Sequence, residues 1–435
     1  MTYEQTLEYL YASQPAFHLI GAAAYKPGLD NTYRLMEHLG NPYRSFRSIH
    51  VAGTNGKGST SHLIAAVLQA AGYKVGLYTS PHLVDFRERI RISGQMIPRQ
   101  SVVAFVENNK TILEQIHPSF FETTMAMAFS YFAQQQVDVA VIEVGLGGRL
   151  DSTNIITPLL SIITNIGMDH TEFLGHTLSA IAAEKAGIIK PNVPCVIGET
   201  DPETAPVFIE HARSCNILGD GLETTSCHLW FTDQCGYMNR RRHREVTECQ
   251  LHGIYQEKNQ QTAYVALQVL SNYTDLHIPT SAIADGFAHV CDLTGLRGRW
   301  EVLSSSPLTI CDTGHNSHGI RYVMTQLQTL CEKDKKDLHI VFGMVSDKDI
   351  DVVLRLLPPN AYYYFTQANT HRAIPAEQLL QMWLTLHPEY NARSANAYHH
   401  VSEAIPAAQQ RTAADDVLFI GGSNYVIAET LPLFH

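Results

Sequence analysis

Short apolar runs alternate with amphipathic helical stretches between Ser48 and about Glu199. The runs have the length and composition of strands, and one helical pattern, from about Ser59 to Gly72, follows the first of them. They are IHVAG (49–53), VGLYTS (75–80), VDVAVIEVG (137–145), LLSIITNIG (159–167) and VPCVIGE (193–199). Strands this apolar are typical of a sheet that is covered on both faces. The pattern therefore predicts an α/β domain built on a mostly parallel sheet.

The pattern changes between residues 200 and 255, where apolar positions become irregular and a basic run covers Arg240 to Arg244. We expect an irregular, partly β insertion here. Charge of this kind usually belongs to a solvated turn or an edge strand, although such a run could also bind phosphate. We assign the run no function. Helical periodicity returns in YQEKNQQTAYVALQVL (255–270).

A second α/β series follows LRGRWE (296–301). Its predicted strands are PLTICDTG (307–314), DLHIVFGMV (337–345), AYYYFTQ (361–367) and DVLFIGG (416–422). Four strands that alternate with helices are enough for an independent core. We therefore expect two domains, 1–296 with a phosphate loop and 297–435 as a smaller C-terminal α/β domain.

Charge and composition exclude several classes of protein. The 435 residues include 31 Lys plus Arg against 42 Asp plus Glu, a formal net charge of -11, which argues against a nucleic-acid partner. No window approaches the roughly 20 apolar residues that a membrane span needs, and Met1 to Leu10 resembles no export signal. We expect a cytoplasmic protein. Its eight cysteines are scattered, without the spacing of a zinc knuckle or a redox pair.

The strongest local motif is VAGTNGKGST (51–60), which follows a predicted strand and precedes a helix. In this context, glycines let backbone N–H groups face phosphates, the helix N-terminus adds positive potential, and Lys57 reaches the β and γ oxygens. Ser59 or Thr60 could hold magnesium. The spacing differs from the common phosphate loop because Gly58 follows the lysine.

Further polar residues follow other predicted strands, at the sheet edge where ligands of open α/β sheets collect. Ser80, Glu143, Asp169 and His170 are such residues, and together they suit Mg²⁺ between phosphate and protein. Taken alone, His170 could be a turn histidine and Glu143 a loop cap. Lys185 lies in a helical pattern of small apolar residues. It is either a surface cation or a buried amine that adds CO₂ to become a carbamate, an anionic metal ligand.

The second half contains fewer candidates. Asn259 lies at a helix start, Arg299 lies at the domain junction, and CDTGHNS (311–317) turns a strand into a helix. Asp312 and His315 on this turn could contact a ribose or a phosphate. An ordinary strand-to-helix turn would have the same composition, and we keep both interpretations.

Together these residues resemble folylpolyglutamate synthase and its bifunctional form, dihydrofolate synthase, within the Mur ligase superfamily. The similar stretches occur in order along both predicted domains. They are HVAGTNGKGST (50–60), GLYTSPHLVDFRERIRISG (76–94), VDVAVIEVGLGGRLDSTN (137–154), DHTEFLGHT (169–177), AAEKAGIIK (182–190), GIYQEKN (253–259), GRWE (298–301) and CDTGHN (311–316).

The resemblance implies an ATPase domain with an appended second domain, ATP between them, and a folate near the loops of the first. Position by position it implies phosphate binding by Thr54, Asn55, Gly56, Lys57, Gly58 and Ser59, and ATP contacts from Asn259, Arg299 and Asp312. It implies metal ligands at Ser59, Ser80, Glu143, His170 and a carbamylated Lys185. It implies substrate contacts from Ser119, Phe120, Phe121, Glu122, Leu150, Asp151 and Ser152. The residues closest to the chemistry would be Lys57, Lys185, His170 and His315.

The predicted activity is an ATP-dependent amide ligase that adds L-glutamate through a γ-linked amide to a reduced folate, with dihydropteroate as a possible second substrate. The expected cofactors are ATP and two Mg²⁺, and we expect a monomer without nucleic-acid or membrane partners. Two departures stand out: the turn reads DTGHNS where DGAHNP is usual, and Lys26-Pro27 replaces a common acidic residue, which predicts poorer use of dihydropteroate. The alternatives are a cell-wall ligase of the same superfamily and a non-enzymatic phosphate-loop switch protein.

Overall fold

The computed structural model describes residues 1–14, 28–215, 228–346, 349–388 and 395–434. It divides the chain into two compact units. The first contains Met1–Gln250 and Gln256–Leu296, and the second contains Leu251–Tyr255 and Arg297–His435. The segment Leu251–Tyr255 therefore belongs to the second unit, although it lies within the range 1–296 of the first expected domain.

The first unit is built on an eight-stranded sheet of order β4-β3-β2-β5-β1-β6-β7-β8. Its strands are β1 (Arg47–Ala52), β2 (Val75–Tyr78), β3 (Ile90–Ile92), β4 (Gln95–Met96), β5 (Val139–Glu143), β6 (Leu160–Ile163), β7 (Cys195–Ile197) and β8 (Leu229–Phe231). The strands from β2 to β8 in this order are parallel, and β3 and β4 add an antiparallel edge. The expected α/β fold class with a mostly parallel sheet is confirmed.

Helices cover both faces of this sheet. They are α1 (Tyr3–Ser13), α2 (Asp30–His38), α3 (Lys57–Ala70), α4 (Arg99–Ile116), α5 (Phe120–Gln134), α6 (Thr171–Leu174), α7 (Leu178–Ala186), α8 (Ala205–Ser214), α9 (Gly236–Glu245), α10 (Gln256–Tyr273), α11 (Thr280–Ala288) and α12 (Val290–Thr294). Helix α3, which follows β1, is buried over ten consecutive residues, Ser59 to Leu68. Helices α10, α11 and α12 all pack against it. At Gly286 of α11 a Cβ would lie only 2.6 Å from the Cα of Val67, so glycine permits this close helix contact.

In its described residues, 200–215 and 228–255, the region of irregular pattern is more regular than expected. It contains α8, β8 and α9, and the basic run Arg240 to Arg244 lies in helix α9. The interpretation of the run as a turn or edge strand is therefore wrong. Helix α9 has a low share of apolar residues, which is why periodicity alone did not reveal it.

The second unit is a six-stranded sheet of order β13-β12-β11-β14-β10-β9. Its strands are β9 (Glu301–Ser305), β10 (Leu308–Asp312), β11 (Leu338–Phe342), β12 (Tyr362–Thr366), β13 (Ala395–Tyr398) and β14 (Val417–Gly421). Among the strands in the described part of this unit, only β9 is antiparallel to its neighbour. The helices are α13 (Ser317–Asp334), α14 (Ile350–Arg355), α15 (Ala376–Leu386), α16 (Val401–Arg411) and α17 (Asn424–Thr430).

The second unit has its own apolar core, with Trp383 and Phe419 fully buried. Tyr255 packs against this core, which explains why the segment before α10 belongs to this unit. In the described part of the chain, no helix combines the length and hydropathy needed to span a membrane. The described cysteines are free thiols, and Cys227 lies outside the described residues.

Candidate active site

The motif at 51–60 forms a tight loop between β1 and α3. Gly53 has φ 148° and Gly56 has φ 82°, conformations that other residues rarely adopt. A Cβ at Gly53 would lie 1.8 Å from Thr164 Oγ1, and one at Gly56 would lie 2.1 Å from Asn259 Oδ1. Both positions therefore require glycine for backbone conformation and for space.

The end of β6 holds the outer part of this loop. The Thr54 N–H donates to the Asn165 carbonyl at 3.0 Å, and the Asn55 N–H donates to Asn165 Oδ1 at 2.8 Å. The Thr54 hydroxyl oxygen accepts from the Gly167 N–H at 3.0 Å. No described side chain caps α3, because its N-cap is Gly56. A helix start of this kind presents backbone N–H groups to an anion.

Two lysines share one acceptor in this loop. Lys57 Nζ donates to the carbonyls of Gly53 and Thr54 at 3.0 and 3.1 Å, and Lys185 Nζ donates to the same Gly53 carbonyl at 2.8 Å. Lys185 is buried, only 4% exposed. Burial, and secondly the charge of Lys57, lower the pKa of Lys185 to about 7. The Lys185 amine is thus available in its neutral form near neutral pH, and the interpretation of this residue as a surface cation is wrong.

Oxygen donors suited to a hard cation are found in the same unit. Ser59 is 2% exposed, and its Oγ accepts from Gln256 Nε2 at 3.1 Å. Glu143 ends β5, is 4% exposed, and its Oε2 accepts from the Ser80 N–H at 3.1 Å. Buried carboxylate and hydroxyl oxygens are ligands that Mg²⁺ prefers.

His170 occupies a special backbone position. It is the N-cap of the short helix α6 with φ 52°, and its N–H donates to Asp169 Oδ1 at 3.0 Å. The described residues contain no cluster of three or more His, Cys, Asp and Glu that could hold a metal by themselves. Metal binding here would therefore need hydroxyl groups and ligand oxygens in addition to Glu143 and His170.

Asp151 organises the glycine-rich segment that follows β5. Its Oδ2 accepts from the N–H groups of Gly145 and Leu146 at 3.0 and 2.9 Å, and its Oδ1 accepts from the Thr153 N–H at 3.0 Å. Burial raises the pKa of this carboxyl group, and these hydrogen bonds oppose the shift. Leu150 and Ser152 flank Asp151 and are half-buried. Asp151 thus shapes the loop that carries them.

The segment Ser119–Glu122 starts helix α5 with a capping box. Ser119 Oγ accepts from the Glu122 N–H at 3.2 Å, and Glu122 Oε2 accepts from the Ser119 N–H at 2.7 Å. Both side chains are therefore occupied with the helix start. Phe120 is buried against Tyr11 with 5.3 Å between ring centroids, and Phe121 packs near Tyr78.

Arg89 is a residue of this region to which the motifs assigned no role. It is 3% exposed, its Nε donates to His82 Nδ1 at 2.7 Å, and its guanidinium lies 5.2 Å from the Phe120 ring centroid. Burial lowers the pKa of this guanidinium. The four charged residues that lie between apolar ones in FRERIRI (86–92) are the sequence signal that could have indicated it.

A second group of residues, which includes the predicted Asn259, surrounds the start of α10. Asn259 Nδ2 donates to Gln256 Oε1 at 2.8 Å, which links Asn259 to Ser59 through Gln256. Asn165 Nδ2 donates to Glu199 Oε1 at 3.0 Å. Asn165 and Glu199 lie in none of the stretches that resemble the family, and their contacts arise only when distant segments come together.

The turn after β10 lies in the second unit and is held by its own side chains. Asp312 Oδ2 accepts from Tyr255 Oη at 2.5 Å and from the Trp300 N–H at 2.7 Å, and its Oδ1 accepts from the Gly314 N–H at 2.7 Å. Burial raises the pKa of Asp312, and these donors and the charge of Arg299 oppose the shift. His315 Nδ1 lies 2.9 Å from the Thr313 carbonyl. Lys26 and Pro27, on which the expectation about dihydropteroate depends, lie outside the described residues.

Comparisons with known proteins agree with this arrangement. The Mur ligase middle domain matches residues 51–232, and the Mur ligase, glutamate ligase domain matches residues 298–424. A dihydrofolate synthase/folylpolyglutamate synthase of Bacillus subtilis is 32% identical over 417 residues, 93% of this chain and 94% of that protein.

A probable bifunctional folylpolyglutamate synthase/dihydropteroate synthase of Haloferax volcanii is 35% identical over 93% of this chain. This chain spans 48% of that relative's length. Among solved structures, the bifunctional folylpolyglutamate synthase/dihydrofolate synthase with Mn, AMPPNP and L-glutamate bound has a TM-score of 0.81 and 29% identity. The match covers 100% of this chain and 98% of that one.

Proposed function

The chain belongs to the dihydrofolate synthase/folylpolyglutamate synthase family of Mur ligases, and we propose that it is an ATP-dependent ligase that joins L-glutamate to a folate through a γ-linked amide. The observation that carries this proposal is the uncapped start of α3, with Lys57 and the buried Lys185 both on the Gly53 carbonyl. The related solved structure binds Mn, AMPPNP and L-glutamate. These correspond to the metal, the nucleotide and the amine substrate of the proposed reaction.

The proposed reaction has two steps. The γ-carboxylate of the folate attacks the γ-phosphorus of ATP, which forms an acyl phosphate and releases ADP. The amine of glutamate then attacks the acyl carbon, which forms the amide and releases phosphate and a proton. In the first step the backbone N–H groups from Gly56 to Ser59, at the uncapped start of α3, and the ammonium of Lys57 stabilise charge on the transferring phosphoryl group.

Ser59, Ser80, Glu143 and His170 are the residues that would hold Mg²⁺, and the buried oxygens of Ser59 and Glu143 suit this ion. Magnesium would supply positive charge between the phosphates and the substrate carboxylate, two anions that otherwise repel each other. We further propose contacts of Asn259, Arg299 and Asp312 with ATP, a place for His315 beside it, and contacts of Phe121, Leu150 and Ser152 with the folate.

Carbamylation of Lys185 is a further part of the proposal. Because the pKa of Lys185 is lowered to about 7, the neutral amine can add CO₂ and release one proton. The carbamate nitrogen keeps one N–H, which can still donate to the Gly53 carbonyl that Lys185 contacts now. The change replaces a buried cation beside Lys57 with an anion, which removes a repulsion and provides a metal ligand.

The test is incorporation of labelled glutamate in the presence of ATP and Mg²⁺, with tetrahydrofolate and dihydropteroate offered separately. We expect ATP-dependent incorporation with tetrahydrofolate and weaker or equal incorporation with dihydropteroate. Incorporation into a UDP-muramyl acceptor instead would identify a cell-wall ligase. ATP hydrolysis without any glutamate acceptor would identify a phosphate-loop switch protein.

A further inference from the structure

The start of helix α10 is connected to the rest of the first unit by its side chains. Gln256 donates to Ser59 at 3.1 Å, Lys258 Nζ donates to Glu199, and Gln260 accepts from Arg242 Nη1 at 3.2 Å. Glu257 accepts from Arg242 Nη2. Four of the first five residues of the helix thus reach three other segments.

Chain connectivity explains why such contacts are needed. The residues directly before Gln256, Leu251–Tyr255, belong to the second unit. The five residues directly before α10 therefore do not connect its first turn to the first unit. The side-chain contacts of Gln256, Lys258 and Gln260 add to the packing of α10 against α3 in setting the rotation and the position of this turn.

The inner side of this turn faces the phosphate loop, where small displacements have consequences. Asn259 Oδ1 lies only 2.1 Å from the place where a Cβ of Gly56 would be. Gln256 contacts Ser59 in the first turn of α3. A rotation of α10 would move Asn259 and Gln256 together against the loop.

The outer side of the turn is held by Arg242. Of the four arginines in the basic run only Arg242 is buried, 2% exposed, whereas Arg240, Arg241 and Arg244 are exposed. Its planar guanidinium reaches Glu257 and Gln260, which are three residues apart and hence neighbours on one helix face. Two acceptors held by one rigid group fix both the height and the rotation of a helix.

Helix α9, which carries Arg242, is also bonded to α10 at a second point. Glu245 Oε2 on α9 accepts from Tyr264 Oη on α10 at 2.7 Å. A separate connection reaches the loop on its other side, because Glu199 binds both Lys258 and Asn165, and Asn165 accepts from the Asn55 N–H.

We propose that Arg242 is a positioning residue for nucleotide binding. By holding Glu257 and Gln260 it sets the rotation of α10, and with it the place of Asn259 and Gln256 against Gly56 and Ser59. The inference rests on the proposed nucleotide site. It predicts that Arg242 acts on nucleotide affinity through α10, without contact with the nucleotide.

The test compares Arg242→Ala with Arg240→Ala and Arg244→Ala, matched losses of one arginine from the same helix. Binding of ADP with Mg²⁺ is measured by calorimetry, and KM is measured separately for ATP and for tetrahydrofolate. For Arg242→Ala we expect the Kd for ADP to rise about tenfold, or about 1.4 kcal/mol. The KM for tetrahydrofolate should stay within about twofold in Arg242→Ala, because the contacts of α10 reach the loop at Gly56 and Ser59. The two exposed controls should change neither constant by more than about twofold, because surface substitutions change energies by about 0.5 kcal/mol or less.

A conservative variant separates positioning from bulk stability. Arg242→Lys keeps the charge and most of the volume but loses the fork that binds two acceptors. We expect it to unfold at nearly the wild-type temperature and still to bind ADP more weakly than wild type. Wild-type ADP affinity in Arg242→Lys together with wild-type affinity in Arg242→Ala would overturn the inference.

Two further outcomes are decisive. If Arg242→Ala does not fold, Gln260→Ala removes one acceptor from α10 instead, and unchanged ADP affinity in that variant would overturn the inference. An equal rise in KM for ATP and tetrahydrofolate would indicate a purely structural role and would also overturn it. Failure of the wild-type protein to bind ADP would contradict the proposed function itself, which distinguishes the two failures.

Discussion

The two units contain the same local arrangement, a parallel strand followed by a turn and a helix, and use it differently. After β1 the turn has two glycines with positive φ, and helix α3 starts without a side-chain cap. After β10 the Asp312 carboxylate accepts from Gly314, and Asn316 caps helix α13 through the Gly319 N–H at 2.9 Å. The first turn therefore leaves its helix N-terminus open to an anion, whereas the second satisfies its own backbone. A phosphate-binding turn is therefore recognised by a helix start whose backbone N–H groups are not capped by side chains of the turn.

The largest expected effect concerns the cation of the first turn. Lys57→Ala should reduce kcat by about 10² to 10⁴, by analogy with the removal of a preorganised charge-stabilising group, while the helix still starts at Gly56. Turnover is measured by glutamate incorporation and folding by circular dichroism. A folded variant that kept more than about a tenth of the wild-type kcat would contradict the assignment of the first turn as the phosphate site.

Lys185 gives a second test of the difference between the two turns. It is the only buried lysine among the described residues, and it contacts the first turn. Lys185→Ala should be inactive, and a short carboxylic acid that fills the cavity should restore part of the activity. Removal of CO₂ and bicarbonate should lower wild-type activity. Activity that ignored bicarbonate, with no rescue by carboxylic acids, would leave Lys185 a simple cation.

The pH dependence of stability gives an independent view of Lys185. Its pKa is about 7 in the folded chain, against 10.5 for an ordinary exposed lysine. Between these values the unfolded chain binds more protons than the folded chain, so the unfolding free energy should rise with pH across this window. Urea titrations of wild type and Lys185→Met, performed without CO₂, should show this extra rise only in wild type. Parallel curves would contradict the lowered pKa.

A matched pair of glycine substitutions tests the two turns directly. Gly56→Ala places a Cβ 2.1 Å from Asn259 Oδ1 at φ 82°, whereas the nearest atom to a Cβ at Gly314 is Asp312 Oδ1 at 3.0 Å. The left-handed conformation alone costs a non-glycine residue about 1 to 2 kcal/mol. We expect ADP to bind about tenfold or more weakly to Gly56→Ala, a change of about 1.4 kcal/mol, and almost normally to Gly314→Ala. Equal losses in calorimetry would remove the distinction between the turns.

The smallest effect is expected at the cap of the second turn. Asn316→Ala should lower the unfolding free energy by about 1 kcal/mol, because the Gly319 N–H loses its acceptor. Chemical denaturation of the full chain measures this change. If ADP affinity fell in proportion, Asn316 would serve a ligand as well as its own helix.

Much of the fold could be predicted from the sequence, because parallel strands buried on both faces read as apolar runs. The runs at 49–53 and 137–145 overlap β1 and β5, and the glycine motif between a strand and a helix predicts the phosphate loop. The basic run could not be resolved in this way. Arg240 and Arg242 look alike in the sequence, and only the packing of α9 against α10 buries one and exposes the other.

The supporting residues of the candidate site could not be predicted from the sequence. Glu199 and Asn165 lie in none of the stretches that resemble the family, and Gln256 lies in GIYQEKN (253–259) without a role assigned to it there. The role of all three depends on contacts between segments that are far apart in the chain. The resemblance implies substrate contacts from Ser119 and Glu122, which stay a prediction, and in the structure their side chains form the capping box of α5.

The interruption of the first unit by Leu251–Tyr255 also bears on how the protein is made. Helices α10, α11 and α12, which cover the phosphate-loop helix α3, are synthesised only after the chain has already contributed to the second unit. A nascent chain that ends at Gln250 would have the phosphate loop and its strands, but α3 would expose the surface around Val67. Helix α3 can therefore be fully covered during translation only after the chain up to about Leu296 has left the ribosome, and a truncated fragment made for crystallisation should end after that residue.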